Sequence, residues 1–176
     1  MTLTAFLRGI NVGGHHKVPM VELREILTEM GCENVRTLLN TGNVVFETDQ
    51  TDIQALEAKM ESHLANAFNF PIPVMLRTKD AIADLVAQNP FEAIEMHKDI
   101  RLYVSFLKDE PTVELELPYS SKDSSYQILS VNNRIICSVL DLSTTKTVKG
   151  MEELEKLFGK NITTRNWNTI LKVMNL

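Results

Sequence analysis

The sequence predicts an α+β fold of two α/β-plait-like subdomains: residues 1–78 with the βαββαβ order of a ferredoxin-like domain, and residues 79–176 as a second α+β subdomain ending in a C-terminal helix. Three observations carry this expectation. Residues 3–8, LTAFLR, alternate with period two; from Pro19 the apolar positions switch to helical spacing; and two strand-like segments flank Asn40-Thr41-Gly42 before a second helical stretch and a further strand pattern.

The elements follow in order. After the first strand, Met20, Leu23, Leu27 and Met30 recur at helical spacing, with Pro19 suited to the first helical position and Gly31 to the residue past the end. NVRTLL (34–39) and NVVFET (43–48) read as strands of a hairpin in which Gly42 can take positive φ. Thr51 and Gln54 fit a capping box, and Ile53, Leu56, Met60, Leu64 and Ala67 form the buried stripe of the second helix. PIPVMLRT (71–78) then supplies a fourth strand with proline at its margin. In the second half, ADLVAQ predicts a short helix, IRLYVSFL a strand, and YQILSV with RIICSVL a hairpin around Asn132-Asn133. GMEELEKLF and RNWNTILKVMN predict the closing helices, and residues 109–125 a polar connection with room for one helical turn.

Composition excludes several classes. Apolar residues make up 44% and charged residues 23%, and no apolar run is long enough to cross a bilayer. Arg8 interrupts the only short apolar run near the start, so no secretory signal is expected and the cytoplasm is the expected compartment. Cys32 and Cys137 lack paired spacing and read as reduced, buried thiols rather than a disulfide. The net charge of −5 disfavours a protein built to grip duplex nucleic acid. Its distribution is uneven: residues 1–21 carry +2 and residues 156–176 carry +4, leaving −11 between them.

In a split βαβ unit the end of the first strand, the start of the third and the N-terminus of the first helix share one sheet edge. RGINVGG and NTGN are therefore expected to be neighbours. The connection over residues 9–17 exceeds the usual strand-to-helix length of about 2 to 6 residues. Gly13 and Gly14 could present amides to a ligand, and Arg8 or Lys17 could neutralise a phosphate or carboxylate. The same residues also fit a plain chain reversal, with Gly9, Gly13 and Gly14 turning the backbone and Asn11 satisfying it. Neither phosphate-loop nor dinucleotide spacing is present, so no nucleotide class is specified.

Near the other end, Thr163 or Thr164 is expected to cap the last helix, whose apolar face is Trp167, Ile170, Leu171 and Met174. Trp167 is read as core, with a stacking platform as the lesser alternative. Arg165 and Asn166 are expected in the first helical turn, where a cation opposes the helix dipole unless an anion faces it. His15 and His16 diverge on an extended loop, His63 and His97 lie elsewhere, and no zinc pattern results. Ser143 and Lys146 fit S-x-x-K by chance, and the carboxylates of the first two helices read as solvated faces paired with Arg24 or Lys59.

With RGINVGGHHKVPM, TGNVVFET and ITTRNWNTI in view, the chain resembles bacterial members of the family called domain of unknown function 1697. The resemblance implies two α/β subdomains, the first ferredoxin-like, and brings no assigned reaction. The family pattern is matched by Arg8, Gly9, Asn11, Gly13, Gly14, Lys17, Val18 and Pro19, by Gly42 and Asn43, and by Thr164, Arg165, Asn166 and Trp167. Thr41 stands where serine is expected and His16 where asparagine is usual, which argues against histidine-based chemistry.

The sequence therefore predicts a cytoplasmic protein that binds a small anionic or polar ligand, phosphorylated or not, in a groove formed by RGINVGG, NTGN and TTRNW. The expected ligand residues are Arg8, Asn11, Gly13, Gly14, Lys17, Thr41, Gly42, Asn43, Arg165 and Asn166. No cofactor, metal or membrane is expected; no catalytic residue can be nominated, and oligomeric state is not legible. One rival is an RNA or single-stranded nucleic-acid module using Phe6 and Phe46 as exposed aromatics. A purely structural or oligomerising protein is the other.

Overall fold

The computed structural model describes all 176 residues. It is a mixed α/β architecture with two antiparallel sheets and five helices. The chain divides into two compact units, Met1–Asp84 with Lys172–Leu176, and Leu85–Leu171.

In the first unit the order is β1 (Thr2–Leu7), α1 (Met20–Glu29), β2 (Glu33–Leu38), β3 (Asn43–Glu47), α2 (Ile53–Phe68) and β4 (Val74–Thr78). The sheet order is β2-β3-β1-β4, with β3 antiparallel to both β1 and β2. Period-two alternation places Leu3, Ala5 and Leu7 in the same core as Val44, Phe46, Val74 and Leu76. Leu23 and Leu27 of α1, and Leu56, Met60 and Leu64 of α2, close that core. Thr4 and Phe6, of opposite parity, are buried as well. Phe6 and Phe46 are both fully buried, so the stacking platform of the RNA rival does not exist on β1 and β3.

Two local expectations are corrected here. The cap of α2 is Asp52, whose carboxylate accepts from the Ala55 N–H at 3.0 Å, one residue later than the Thr51–Gln54 box. The carboxylates of α2 are also not merely a solvated face. Strand β4 pairs only with β1, and its open side is covered by Glu61 accepting from the Val74 N–H (2.9 Å) and Glu57 accepting from the Leu76 N–H (2.7 Å). Residues four apart on a helix meet residues two apart on a strand, which protects an edge that would otherwise recruit another chain. On α1, Arg24 bonds the Thr37 hydroxyl at 2.8 Å.

The second unit runs from within α3 (Lys79–Gln88) through β5 (Ile100–Leu107), β6 (Tyr119–Ser120), β7 (Tyr126–Asn132), β8 (Ile135–Asp141), α4 (Thr147–Phe158) and β9 (Ile162–Asn166) into α5 (Trp167–Met174). Its sheet order is β6-β7-β8-β5-β9. Leu154 of α4 packs with Tyr126, Ile128, Ile136 and Leu140. The connection expected to have room for a helical turn contains the short strand β6 instead. Residues 162–166 form a strand, so Arg165 and Asn166 are not in the first turn of the last helix: Ile162, Thr163 and Thr164 are β-branched and the segment pairs with β5. Thr164 bonds the buried Ser105 hydroxyl at 2.7 Å rather than capping a helix. In α5 the deeply buried residues are Ile170 and Val173, while Trp167 is half-buried.

Candidate functional site

The edge where β1 ends is assembled by backbone and amide hydrogen bonds. The Leu7 N–H donates to the Gly42 carbonyl at 2.8 Å, and Asn11 joins three segments. Its Nδ2 donates to Val18 O (2.9 Å) and Asn40 O (2.8 Å), while its Oδ1 accepts from the Val18 N–H at 2.8 Å. The opening loop, the entry to α1 and the β2–β3 turn therefore meet, as the strand order requires.

Within the loop, Gly13 (φ +59°) and Gly14 (φ +79°) form the tip of a tight turn. The His15 N–H donates to Val12 O at 3.1 Å, and the Asn11 N–H to His16 O at 3.0 Å. Two successive positive φ values are the requirement of a two-residue I′ hairpin, which is the reason for paired glycines here. His16 stacks on Phe70 with ring centroids 4.4 Å apart and its Nδ1 lies 3.2 Å from Gly9 O, so this histidine anchors the loop.

Several expected ligand residues are occupied by architecture. Asn43 is fully buried, and its Nδ2 donates to Leu38 O and to the Thr41 hydroxyl, both at 3.0 Å. Gly42, at φ +76°, leaves no room for a side chain: a Cβ there would lie 2.7 Å from Leu7 Cβ. Asn11, Thr41, Gly42 and Asn43 shape the rim. The backbone N–H of Arg8 donates to Pro73 O at 2.9 Å.

Against this frame lies an open groove of about 430 Å³, walled by Gly14, His15, Lys17, Pro19, Met20 and Asn40 among others. At its helical end, α1 begins after Pro19, which has no N–H, and no side chain caps the first turn. The first amides of a helix lack intrahelical acceptors and concentrate a partial positive charge. Lys17 adds a full charge beside them, and Glu22 in the first turn offsets part of it. Val12, Val21 and Leu39, also from the loop, the first turn of α1 and the β2–β3 turn, are exposed, the last at φ +58°.

Arg165 and Asn166 belong to the second unit. Arg165 lies on β9, and its Nη1 donates to Thr163 Oγ1 (2.7 Å) and Thr164 O (2.9 Å), so the helix-dipole misfit expected for it does not arise. Burial of its guanidinium lowers the pKa to about 10. This unit also holds a hollow of about 480 Å³. There the Tyr119 hydroxyl donates to Glu153, which raises the tyrosine pKa. Asp123, held by the hydroxyls of Ser125 and Ser121, is lowered to about 2. Both cysteines are buried free thiols, and burial raises the pKa of each, that of Cys137 to about 11. No cluster of three His, Cys, Asp or Glu side chains could hold a metal ion.

A family model described as "Protein of unknown function (DUF1697)" matches residues 1–136. The chain belongs to the DUF1697 family. The span includes both motifs of the rim, whereas TTRNW lies beyond it. The DUF1697 chain is similar to a solved structure described as that of "conserved bacterial protein SP0830 from Streptococcus pneumoniae". The TM-score is 0.75 at 24% identity, covering 99% of this chain and 97% of the other. That likeness is one of fold. No curated protein matches.

Sequence reasoning missed the Glu57–Glu61 edge cover, the Asp52 cap and the strand β9. The β-branched run at 162–164 was the available signal for β9; the acids at i and i+4 carried no mark distinguishing them from a solvated face.

Proposed function

We propose that this DUF1697 chain is a cytoplasmic binding protein for a small polar anion, phosphorylated in its natural form, held where the 9–17 loop meets the start of α1. On this reading residues 1–78 act as a ferredoxin-like binding subdomain, and residues 79–176 as a second α+β subdomain. The observation that carries the proposal is the helix start with no side-chain cap, opening onto a groove that also contains Lys17. The absence of any acid in residues 1–21 supports it.

The chemistry is simple. An oxyanion accepts from the first-turn amides of α1 while Lys17 supplies the balancing charge. A helix terminus alone contributes about 0.3–1 kcal/mol, far less than the ~4 kcal/mol of a millimolar complex. Lys17 and the groove must therefore supply most of the affinity. Asn11 and Gly42 act by fixing the loop, which removes an ordering cost on binding. Arg8 and Arg165 are not needed as ligands, and no reaction is assigned.

The test is a calorimetric titration of inorganic phosphate, sulfate and phosphorylated small molecules against chloride at matched ionic strength. Saturable heat with at least one oxyanion, weakened about tenfold or more in Lys17→Ala with an unchanged melting temperature, supports the proposal. Equal affinity in wild type and Lys17→Ala, or heats indistinguishable from chloride, rejects it.

A further inference from the structure

From the second unit, and independently of the groove above, we infer that the hollow beside Trp167 takes the base of a nucleoside phosphate. The backbone creates the space. Strand β9 pairs with β5 only from Tyr103, opposite Asn166, to Leu107, opposite Ile162, whereas β5 begins at Ile100. The edge of β5 from Ile100 to Leu102 therefore runs past its partner.

Hydrogen-bond parity fixes what faces that gap. Asp99 O accepts from the Leu142 N–H, and the Leu107 N–H donates to Arg134 O, both on the β8 side; the Lys108 N–H donates to Asn161 O on the β9 side. Odd positions of β5 address β8 and even positions address β9. The peptide N–H of Leu102 consequently points into the space that β9 leaves, while its carbonyl faces the Trp167 N–H next to the Tyr103–Asn166 pair. That N–H is a donor of the kind that meets a ring nitrogen or exocyclic oxygen of a heterocycle.

The side chains around the gap fit the same class. Trp167 begins α5 where β9 ends; it is half-buried and held edge-on by Phe91, with centroids 5.2 Å apart at 66°. A hollow of about 410 Å³ is walled there by Met96, Arg101, Leu102, Asn166, Trp167 and Asn168, among others, large enough for a base with its sugar. The guanidinium of Arg101 is fixed by two backbone carbonyls, those of Lys98 (2.7 Å) and Ile100 (2.9 Å), which orient it without neutralising it. An indole offers a stacking face, the Asn166 and Asn168 amides offer donors and acceptors, and a fixed cation offers a phosphate partner. A plain sugar leaves the cation unused, and an aliphatic acid leaves the indole unused.

The chain has one tryptophan, so its fluorescence reports this hollow directly. The full-length protein is titrated with AMP, GMP, CMP, UMP, adenosine and inorganic phosphate, with calorimetry in parallel. Saturable quenching by at least one nucleotide is expected, with the nucleotide bound more tightly than its nucleoside. Arg101→Ala should erase that difference, and Trp167→Leu should weaken calorimetric binding about tenfold, while Trp167→Phe, which preserves a ring against Phe91, retains most of it. Inorganic phosphate should leave the fluorescence unchanged even where it binds beside Lys17. The inference fails if no nucleotide gives saturable quenching at millimolar concentration, or if Trp167→Leu binds as wild type. It also fails if nucleotide binding is lost in Lys17→Ala and kept in Arg101→Ala, which would place the nucleotide in the first unit.

Discussion

Gly42→Ala is the substitution that most sharply separates architecture from ligand binding. At φ +76° any L-residue pays for the left-handed conformation, about 1–2 kcal/mol. The added methyl would also sit 2.7 Å from Leu7 Cβ and 3.0 Å from Ile10 Cδ1. Leu7 is buried, in the strand whose N–H bonds to Gly42 O, so it cannot withdraw without disturbing the β1–turn contact. Overpacking of this kind costs about 1–3 kcal/mol, for a total of about 2–5 kcal/mol. Gly14→Ala is the matched control. Its φ is +79° but nothing lies within 4 Å of the new methyl, so only the backbone cost of about 1–2 kcal/mol applies. Urea unfolding followed by circular dichroism measures both, with the midpoint shift read at constant slope. Equal losses for the two variants would refute the claim that contact with Leu7 and Ile10, rather than backbone conformation, fixes Gly42.

Other consequences can be measured separately. Glu57→Ala leaves the buried Leu76 N–H without its acceptor and should cost about 1–3 kcal/mol, while Glu57→Gln keeps an acceptor and recovers most of it; hydrogen exchange at Leu76 distinguishes the two. Asp123 should titrate near pH 2, against an ordinary 3.8, because the Ser125 and Ser121 hydroxyls bond its charged form. A depressed carboxylate pKa adds stability above pH 3.8 that is lost as the pH falls to about 2, so Ser125→Ala should raise the NMR midpoint of Asp123; an unmoved midpoint would contradict the assignment. Neither Cys32 nor Cys137 should react with an aromatic disulfide reagent in the native protein, and both should react in denaturant.

The first unit was largely legible because its signals are local. Period-two alternation marked β1, the Leu23–Leu27 spacing marked α1, and Gly42 marked a turn that only glycine can make. The adjacency of RGINVGG and NTGN followed from strand order. What the sequence could not reveal was which polar atoms are already occupied. Asn11 and Asn43 have the chemistry of ligand residues, but their amides are taken up by Val18, Asn40, Leu38 and Thr41. The carboxylates of α2 posed the reverse difficulty: acids resembling a solvated face close a sheet edge through a tertiary contact that no local pattern announces. At the other end, the helical spacing of Trp167 and Ile170 was extended back over Arg165 and Asn166, which a neighbouring strand recruits together with the β-branched residues before them.

The central claim is that the start of α1 and Lys17 together receive an oxyanion. Amide-resolved NMR during a phosphate titration tests it most directly. Saturable shifts concentrated at Lys17, Met20, Val21 and Glu22, absent with chloride and abolished by Lys17→Ala, are the predicted result. Shifts spread evenly over the chain, or a phosphate response at those amides unchanged by the loss of Lys17, would contradict it.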